Sequence, residues 1–251
     1  MSKLPVIRLV RHAYLDTIAH ARGLMRVGGP WLLLSWALLM LARDGGLLEA
    51  AANLAVTMGA AAIAVAWHRH ILLGEPLSLR MAPLNRRVAR YFALTVLIAV
   101  AMSCLLLITI VVVGGGGVGL EQPGNHAGAG LAVLLVMVAC LYLTQRLQLV
   151  FPATAIGDRT IDFGRSWTLT RGNGWRLLGG FLLVTLPVAA ALLGLALLLA
   201  WAADATGSIA LTALSYLAAV ANAWLQAPLI ASFLSFAYVW FRDNSTTAGA
   251  A

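Results

Sequence analysis

The chain has 251 residues, 61% of them hydrophobic and only 10% charged, where a soluble domain carries about a quarter charged residues. Together with a mean hydropathy of +0.90, this excludes an ordinary water-soluble globular domain. The formal net charge of +8 does not point to nucleic acid either, because the basic residues lie beside apolar runs rather than on one solvated surface.

The first segment, residues 1–26, is too long and too polar for the n-region of a cleavable signal. Within it Ile7, Val10, Tyr14 and Ile18 fall at helical spacing, with Arg8, Arg11, His12 and Arg22 elsewhere. That pattern predicts an amphipathic helix lying in a membrane interface. An apolar run over 27–42 follows. It is short for a crossing, since about 20 apolar residues are needed, and it is expected to tilt little or to recruit Leu47 and Leu48. A second span covers 50–73 and ends on Trp67-His68-Arg69-His70. This segment predicts an interfacial anchor in which Arg69 snorkels to lipid phosphates. A metal, haem or proton-responsive role is the alternative, although His68 and His70, two apart on a helix, face different ways and make poor co-ligands.

Gly74-Glu75 opens a polar stretch holding Arg80, Arg86, Arg87 and Arg90, before a third span over 91–113. Residues 114–130 read as a flexible loop. Gly114–Gly117 with Gly119 spells G-x-G-x-x-G, but no strand precedes it and no helix opens directly after it, so it is no dinucleotide fingerprint. Glu121 and His126 in this loop are too scattered to define a metal site. The fourth span, 131–151, leads into Gly157-Asp158, the acids Asp158 and Asp162, and Arg159, Arg165, Arg171 and Arg176. Asp162 stands at i,i+3 from Arg165, which suits a cap or ion pair better than a catalytic carboxylate pair. Phe163 and Trp167, four apart, again suggest an interfacial helix. The fifth span is 177–201. The sixth, 209–241, is long enough to project from the bilayer or to bend near Pro228. It carries Asn222 and Gln226 on one face, polar groups that serve as interhelical hydrogen bonds or line a solute path. Cys104 and Cys140 lie in apolar runs and read as packing residues.

Of the 17 Lys and Arg, all but Arg43 fall in the N-terminal segment, alternate gaps and the tail. The positive-inside rule then puts both termini in the cytoplasm. Trp67, Tyr91, Trp175, Trp201 and Trp240 fall where an aromatic belt is expected. The fold class is therefore all-α: a polytopic membrane protein of six transmembrane helices with amphipathic interfacial helices, forming one domain over 1–251. Gly74-Glu75 and Gly157-Asp158 each follow a span and precede an Arg-rich stretch. They suggest a three-fold parallel repeat of one interfacial helix plus two spans, with units 1–73, 74–156 and 157–251.

The run Phe151-Pro152-Ala153-Thr154-Ala155-Ile156-Gly157-Asp158, followed by Ser166-Trp167-Thr168-Leu169-Thr170-Arg171-Gly172-Asn173, resembles uncharacterised multi-pass proteins of bacterial inner membranes. It is also similar to the membrane domain attached to some glycerophosphodiester phosphodiesterases. The resemblance covers mainly the second half and implies an inner-membrane location. The chain has no strand-rich region for the phosphodiesterase barrel, so that activity is not carried over.

No nucleophile elbow, zinc-protease motif, phosphate loop or Cys cluster occurs, and neither an enzyme nor a cofactor is expected. Arg80, Arg86, Arg87, Arg90, Arg165, Arg171 and Arg176 are the candidate lipid head-group ligands, because guanidinium groups match phosphate oxygens bidentately. Expected partners are anionic membrane lipids and a membrane-protein partner, with no nucleic acid. The leading reading is a non-enzymatic protein that organises lipid or supports a partner complex. The alternative is a transporter or pore for a neutral or lipid-like substrate along Asn222 and Gln226.

Overall fold

A computed structural model describes residues 3–42, 46–77, 85–115 and 126–248. Arg43, Arg80 and Glu121 lie outside the described residues, as do residues 78–84 of the stretch expected to form the second interfacial helix. The described helices are α1 (Val6–Ala19), α2 (Ala21–Leu41), α3 (Leu47–Leu73), α4 (Arg86–Gly115), α5 (His126–Leu147), α6 (Val150–Ile156), α7 (Phe163–Leu169), α8 (Gly174–Thr206) and α9 (Ile209–Ala248). No strand occurs among the described residues.

Six helical stretches are long and apolar enough to cross a membrane: Ala21–Leu41, Leu47–Leu73, Arg86–Val112, Gly130–Ile156, Gly174–Thr206 and Ile209–Asn244. The chain is a multi-pass membrane protein. In hydrocarbon every backbone N–H and C=O must find a partner within the protein, and a helix supplies those partners locally. The first crossing reaches back to Ala21 rather than forward to Leu47 and Leu48, which open α3 instead. Its 21 residues span about 30 Å, enough for the hydrocarbon core. The long stems of Arg22 and Arg26 allow this first turn to sit at the membrane surface. Helix persists to Gly115 and resumes at His126, so both ends of the expected loop over 114–130 are helical.

Helix α9 is the hub, packing against α8, α3, α1 and α2. One core joins Leu4, Leu9 and Ala13 to Leu177 of α8 and to Phe233, Tyr238 and Phe241 of α9. A second joins Ile63, Val65 and Trp67 of α3 to Val88, Tyr91, Phe151 and Ala231. Helices α4 and α5 are peripheral and leave Leu97, Leu107, Val112 and Leu135 exposed. Lipid solvates such a surface at no cost, whereas water would not. Cys104 is exposed on α4 and Cys140 is buried on α5, neither in a disulfide.

Helix α1 docks on the bundle by a face other than its apolar stripe of Ile7, Val10, Tyr14 and Ile18. Leu9, Ala13 and Thr17 are buried, while Val10 and Tyr14 pack at the edge of the core. Ile7 and Ile18 are 80% and 69% exposed. The docked face is rotated about a quarter turn from the predicted one, because α1 has apolar neighbours on two sides, the bundle and its surroundings. The N-terminal segment is tied down by Leu4, whose N–H donates to Asn173 Oδ1 at 2.9 Å and whose carbonyl accepts from Arg176 Nη1 at 2.9 Å. Tyr14 Oη donates to the Val184 carbonyl at 2.8 Å and lies 3.4 Å from that of Leu183. Pro187, inside α8, has no N–H to offer the Leu183 carbonyl, and the Tyr14 hydroxyl lies beside that turn.

Short helices precede the long pairs α2–α3 and α8–α9. Asp162 caps α7 by accepting from the Arg165 N–H at 2.7 Å. Gly74 and Gly157 both end helices in the left-handed region, at φ 69° and 81°, which glycine adopts without a steric penalty.

Close approach of α2 to α9 depends on Gly28, where a Cβ would lie 1.9 Å from Trp224 Nε1; at Gly29 nothing lies within 4 Å. Gly28→Ala is therefore expected to destabilise by about 1–3 kcal/mol through overpacking, while Gly29→Ala is neutral or slightly stabilising. Thermal melts of the two variants in micelles check this.

Candidate functional site

Successive residues of a helix point about 100° apart, so the four side chains of Trp67-His68-Arg69-His70 leave α3 in different directions. Trp67 Nε1 donates to Ser232 Oγ at 2.7 Å and to Asp16 Oδ2 at 3.1 Å. His68 Nδ1 meets Ser235 Oγ at 2.7 Å, and Nε2 lies 3.4 Å from Tyr91 Oη. Arg69 forms a two-pronged ion pair with Glu75 and donates from Nη1 to the Ala155 carbonyl at 3.2 Å. His70 Nδ1 lies 2.7 Å from the Glu75 carbonyl and therefore donates to it.

Trp67 and His68 are fully buried, which corrects their reading as interfacial anchors. Tyr91 is buried too, and of the expected aromatic belt Trp175 and Trp201 are well exposed. The reason lies in α9: Ser232 and Ser235, three apart, offer oxygens to two side chains that lipid could not satisfy. Arg69 does not reach outward either, because Glu75 folds back across the Gly74 turn to neutralise it.

As the spacing required, His68 and His70 face different helices. His70 instead meets His20, at the joint of α1 and α2, with ring centroids 4.5 Å apart and planes at 71°. His20 Nδ1 stands 3.2 Å from Asp16 Oδ1, with the Asp16 side chain 18% exposed and that of His20 42%. Ser232 Oγ donates to the other carboxylate oxygen, Oδ2, at 3.1 Å. One ligand-type atom from each of Asp16, His20 and His70 lies within 4.8 Å of the other two. The sequence reading missed Asp16 and His20. The signal available was their i,i+4 spacing, which places an acid and an imidazole on one helical face.

The predicted arginines divide. Arg87 and Arg90 of α4 converge with Arg159 on a cleft of about 610 Å³ that is also lined by Leu94, Leu97 and Asp158. Arg87 reaches across this cleft to Gly157, where a Cβ would lie 4.0 Å from Arg87 Nη2, an ordinary contact. Arg86 and Arg171 are exposed and do not line the cleft. Arg165 lines a separate hollow with Arg242. Arg176 is committed to the Leu4 carbonyl. Arg146, which the sequence reading used only for topology, is buried. It stacks 3.5 Å from the Trp167 ring centroid and donates to the Trp167 carbonyl and Thr170 Oγ1, docking α7 onto α5.

Asp158 is the one carboxylate among the described residues of the cleft wall. It accepts from Tyr238 Oη, from Thr160 N at 2.8 Å and from Thr160 Oγ1 at 2.7 Å. Burial pushes its carboxyl up, but these hydrogen bonds and the charge of Arg242 outweigh burial and hold it below the ordinary 3.8. Gln226 joins α9 to α8, and Asn222 bonds to it within α9. Gln226 Nε2 donates to the Thr185 carbonyl at 2.8 Å and lies 3.4 Å from Asn222 Oδ1.

Comparison with protein-family models, with curated proteins and with solved structures found no match to this chain.

Because the folded-state pKa of Asp158 is depressed, its contribution to stability is complete above 3.8 and is lost as pH falls below that value. Asp158→Asn is expected to be less stable than wild type at neutral pH and to flatten the acid limb of the stability–pH profile, so that the difference narrows below about pH 4. Thermal melts across the acid range check it.

Proposed function

We propose that this protein is a non-enzymatic integral membrane protein that organises anionic lipid at the cytoplasmic face of a bacterial inner membrane. The observation that carries the reading is the cleft at the foot of α4. Three guanidinium groups, of Arg87, Arg90 and Arg159, line about 610 Å³ that continues directly onto Leu94 and Leu97. Leu97 is 58% exposed. A phosphate beside an acyl chain has the same order of charge and apolarity. Asp158, already engaged by Tyr238 and Thr160, leaves the cleft cationic.

Orientation follows from the positive-inside rule. Contacts between Arg176 and Leu4, Asp158 and Tyr238, and Arg69 and Ala155 support it by gathering the basic segments at one end of the bundle. The repeat of interfacial helix plus two spans is part of the same proposal, supported by the matching left-handed turns at Gly74 and Gly157. Transport along Asn222 and Gln226 draws less support, because Gln226 Nε2 is engaged with the Thr185 carbonyl of α8 and the cavity beside Trp31, Ser35 and Trp224 is only about 10 Å³, room for about one water.

Basic residues beside a membrane contribute about 1 kcal/mol each toward anionic lipid. Arg87→Gln, Arg90→Gln and Arg159→Gln are each expected to lower affinity for anionic lipid about five-fold, with Arg171→Gln near wild type. Co-purified lipid, quantified by native mass spectrometry, checks this. Equal losses in Arg171→Gln would assign the effect to general surface charge and overturn the cleft.

A further inference from the structure

We propose that Asp16, His20 and His70 form a binding site for a divalent transition-metal ion of the Zn²⁺ class, which clamps α1 to α3 at the basic end of the bundle. Two ligands at 2.0–2.1 Å from a tetrahedral Zn²⁺ stand about 3.3 Å apart. Asp16 Oδ1 and His20 Nδ1 stand 3.2 Å apart, and Nδ1 also donates to the Asp16 carbonyl at 3.0 Å, a hydrogen bond that the ion would replace. With all three ligand-type atoms within 4.8 Å, closure needs side-chain movement of about 1 Å. The donor set is two imidazoles and one carboxylate, which suits Zn²⁺ and its neighbours rather than Ca²⁺ or Mg²⁺. Three protein ligands leave a fourth position for water.

The surroundings orient the ligands as the outer shell of a metal site does. Trp67 Nε1 and Ser232 Oγ hold Asp16 Oδ2, turning the other oxygen toward His20. The Glu75 carbonyl takes the Nδ1 proton of His70, leaving Nε2 with the lone pair. Glu75 is itself fixed by Arg69. Asp16 already accepts from Trp67 Nε1 and Ser232 Oγ. This carboxylate is mostly withdrawn from solvent, and its one ionic partner among the described residues is His20, because Arg69 is committed to Glu75. A bound cation supplies the positive charge by replacing the proton that His20 shares with Asp16. The partial exposure of His20 provides the entry path.

The test uses the full chain in zwitterionic micelles, stripped with chelator and titrated with Co²⁺, whose visible absorption reports tetrahedral nitrogen and oxygen ligation. The expected result is saturable binding of one ion per chain, displaced by Zn²⁺. Asp16→Asn, which keeps the acceptor for Trp67 and Ser232, and His20→Ala, at the exposed edge, each weaken it at least about ten-fold. His12→Ala, which removes an imidazole that stacks on Phe236 outside the cluster, binds as wild type. A Zn²⁺-dependent rise in melting temperature, present in wild type and absent in His20→Ala, provides a readout that needs no colour. Absence of stoichiometric Co²⁺ binding by the wild type overturns the site, as does binding that survives unchanged in both Asp16→Asn and His20→Ala.

Discussion

The indole N–H of Trp67, shared between Ser232 Oγ and Asp16 Oδ2, joins three helices at one point. Trp67 belongs to α3, Ser232 to α9 and Asp16 to α1, and the Ser232 hydroxyl closes the triangle by donating to Asp16. An unsatisfied polar group in hydrocarbon is costly, so none of the three helices can rotate without breaking more than one of these bonds. One turn further on, His68 and Ser235 repeat the arrangement between α3 and α9. With α3 and α9 held in this register, the basic ends of the other helices have a common surface on which to gather.

Two departures from the ordinary helix, Pro187 and Gly28, lie beside side chains of neighbouring helices. Pro187 leaves a carbonyl of α8 without its donor, and the hydroxyl of Tyr14 arrives from α1 at that turn. Burial pushes the Tyr14 hydroxyl up from its ordinary pKa, which keeps it protonated and able to donate. Gly28 removes a side chain where the indole of Trp224 must lie. Small residues at helix contacts are what a membrane bundle uses in place of a hydrophobic driving force.

The same end of the bundle presents two kinds of charge chemistry within a few helical turns. Around Asp16 a carboxylate and two imidazoles lie partly withdrawn from solvent, beside an Arg69–Glu75 pair that neutralises itself. Around Arg87, Arg90 and Arg159 the excess is cationic and the wall continues into exposed leucines. Glu75 and Asp158 follow the two left-handed glycines at corresponding places, yet they do different work. Glu75 turns back to Arg69, whereas Asp158 takes the phenol of Tyr238 on α9. Asp158 follows α6, which packs against α9 as well as α3 and α4.

Much of the architecture was legible in the sequence, because bilayer thickness is a one-dimensional constraint. It demands apolar runs of a certain length, and their number and the alternation of basic gaps can be read without knowing which helix touches which. The i,i+4 pair Asp16 and His20, the N-cap Asp162 and the glycines at 74 and 157 were likewise local signals. The rotation of each helix about its axis was not local. Helices α3 and α9 are apolar on nearly every side, so no periodic stripe marks the buried face, and Trp67 and His68 read as surface anchors when α9 in fact covers them. Which arginines converge, and which histidine meets His70, depended on helices distant in sequence arriving at one place. Only the tertiary structure decided that, because the partners of a side chain at a helix crossing are set by packing and by the need to satisfy each buried polar atom, not by the order of residues along the chain.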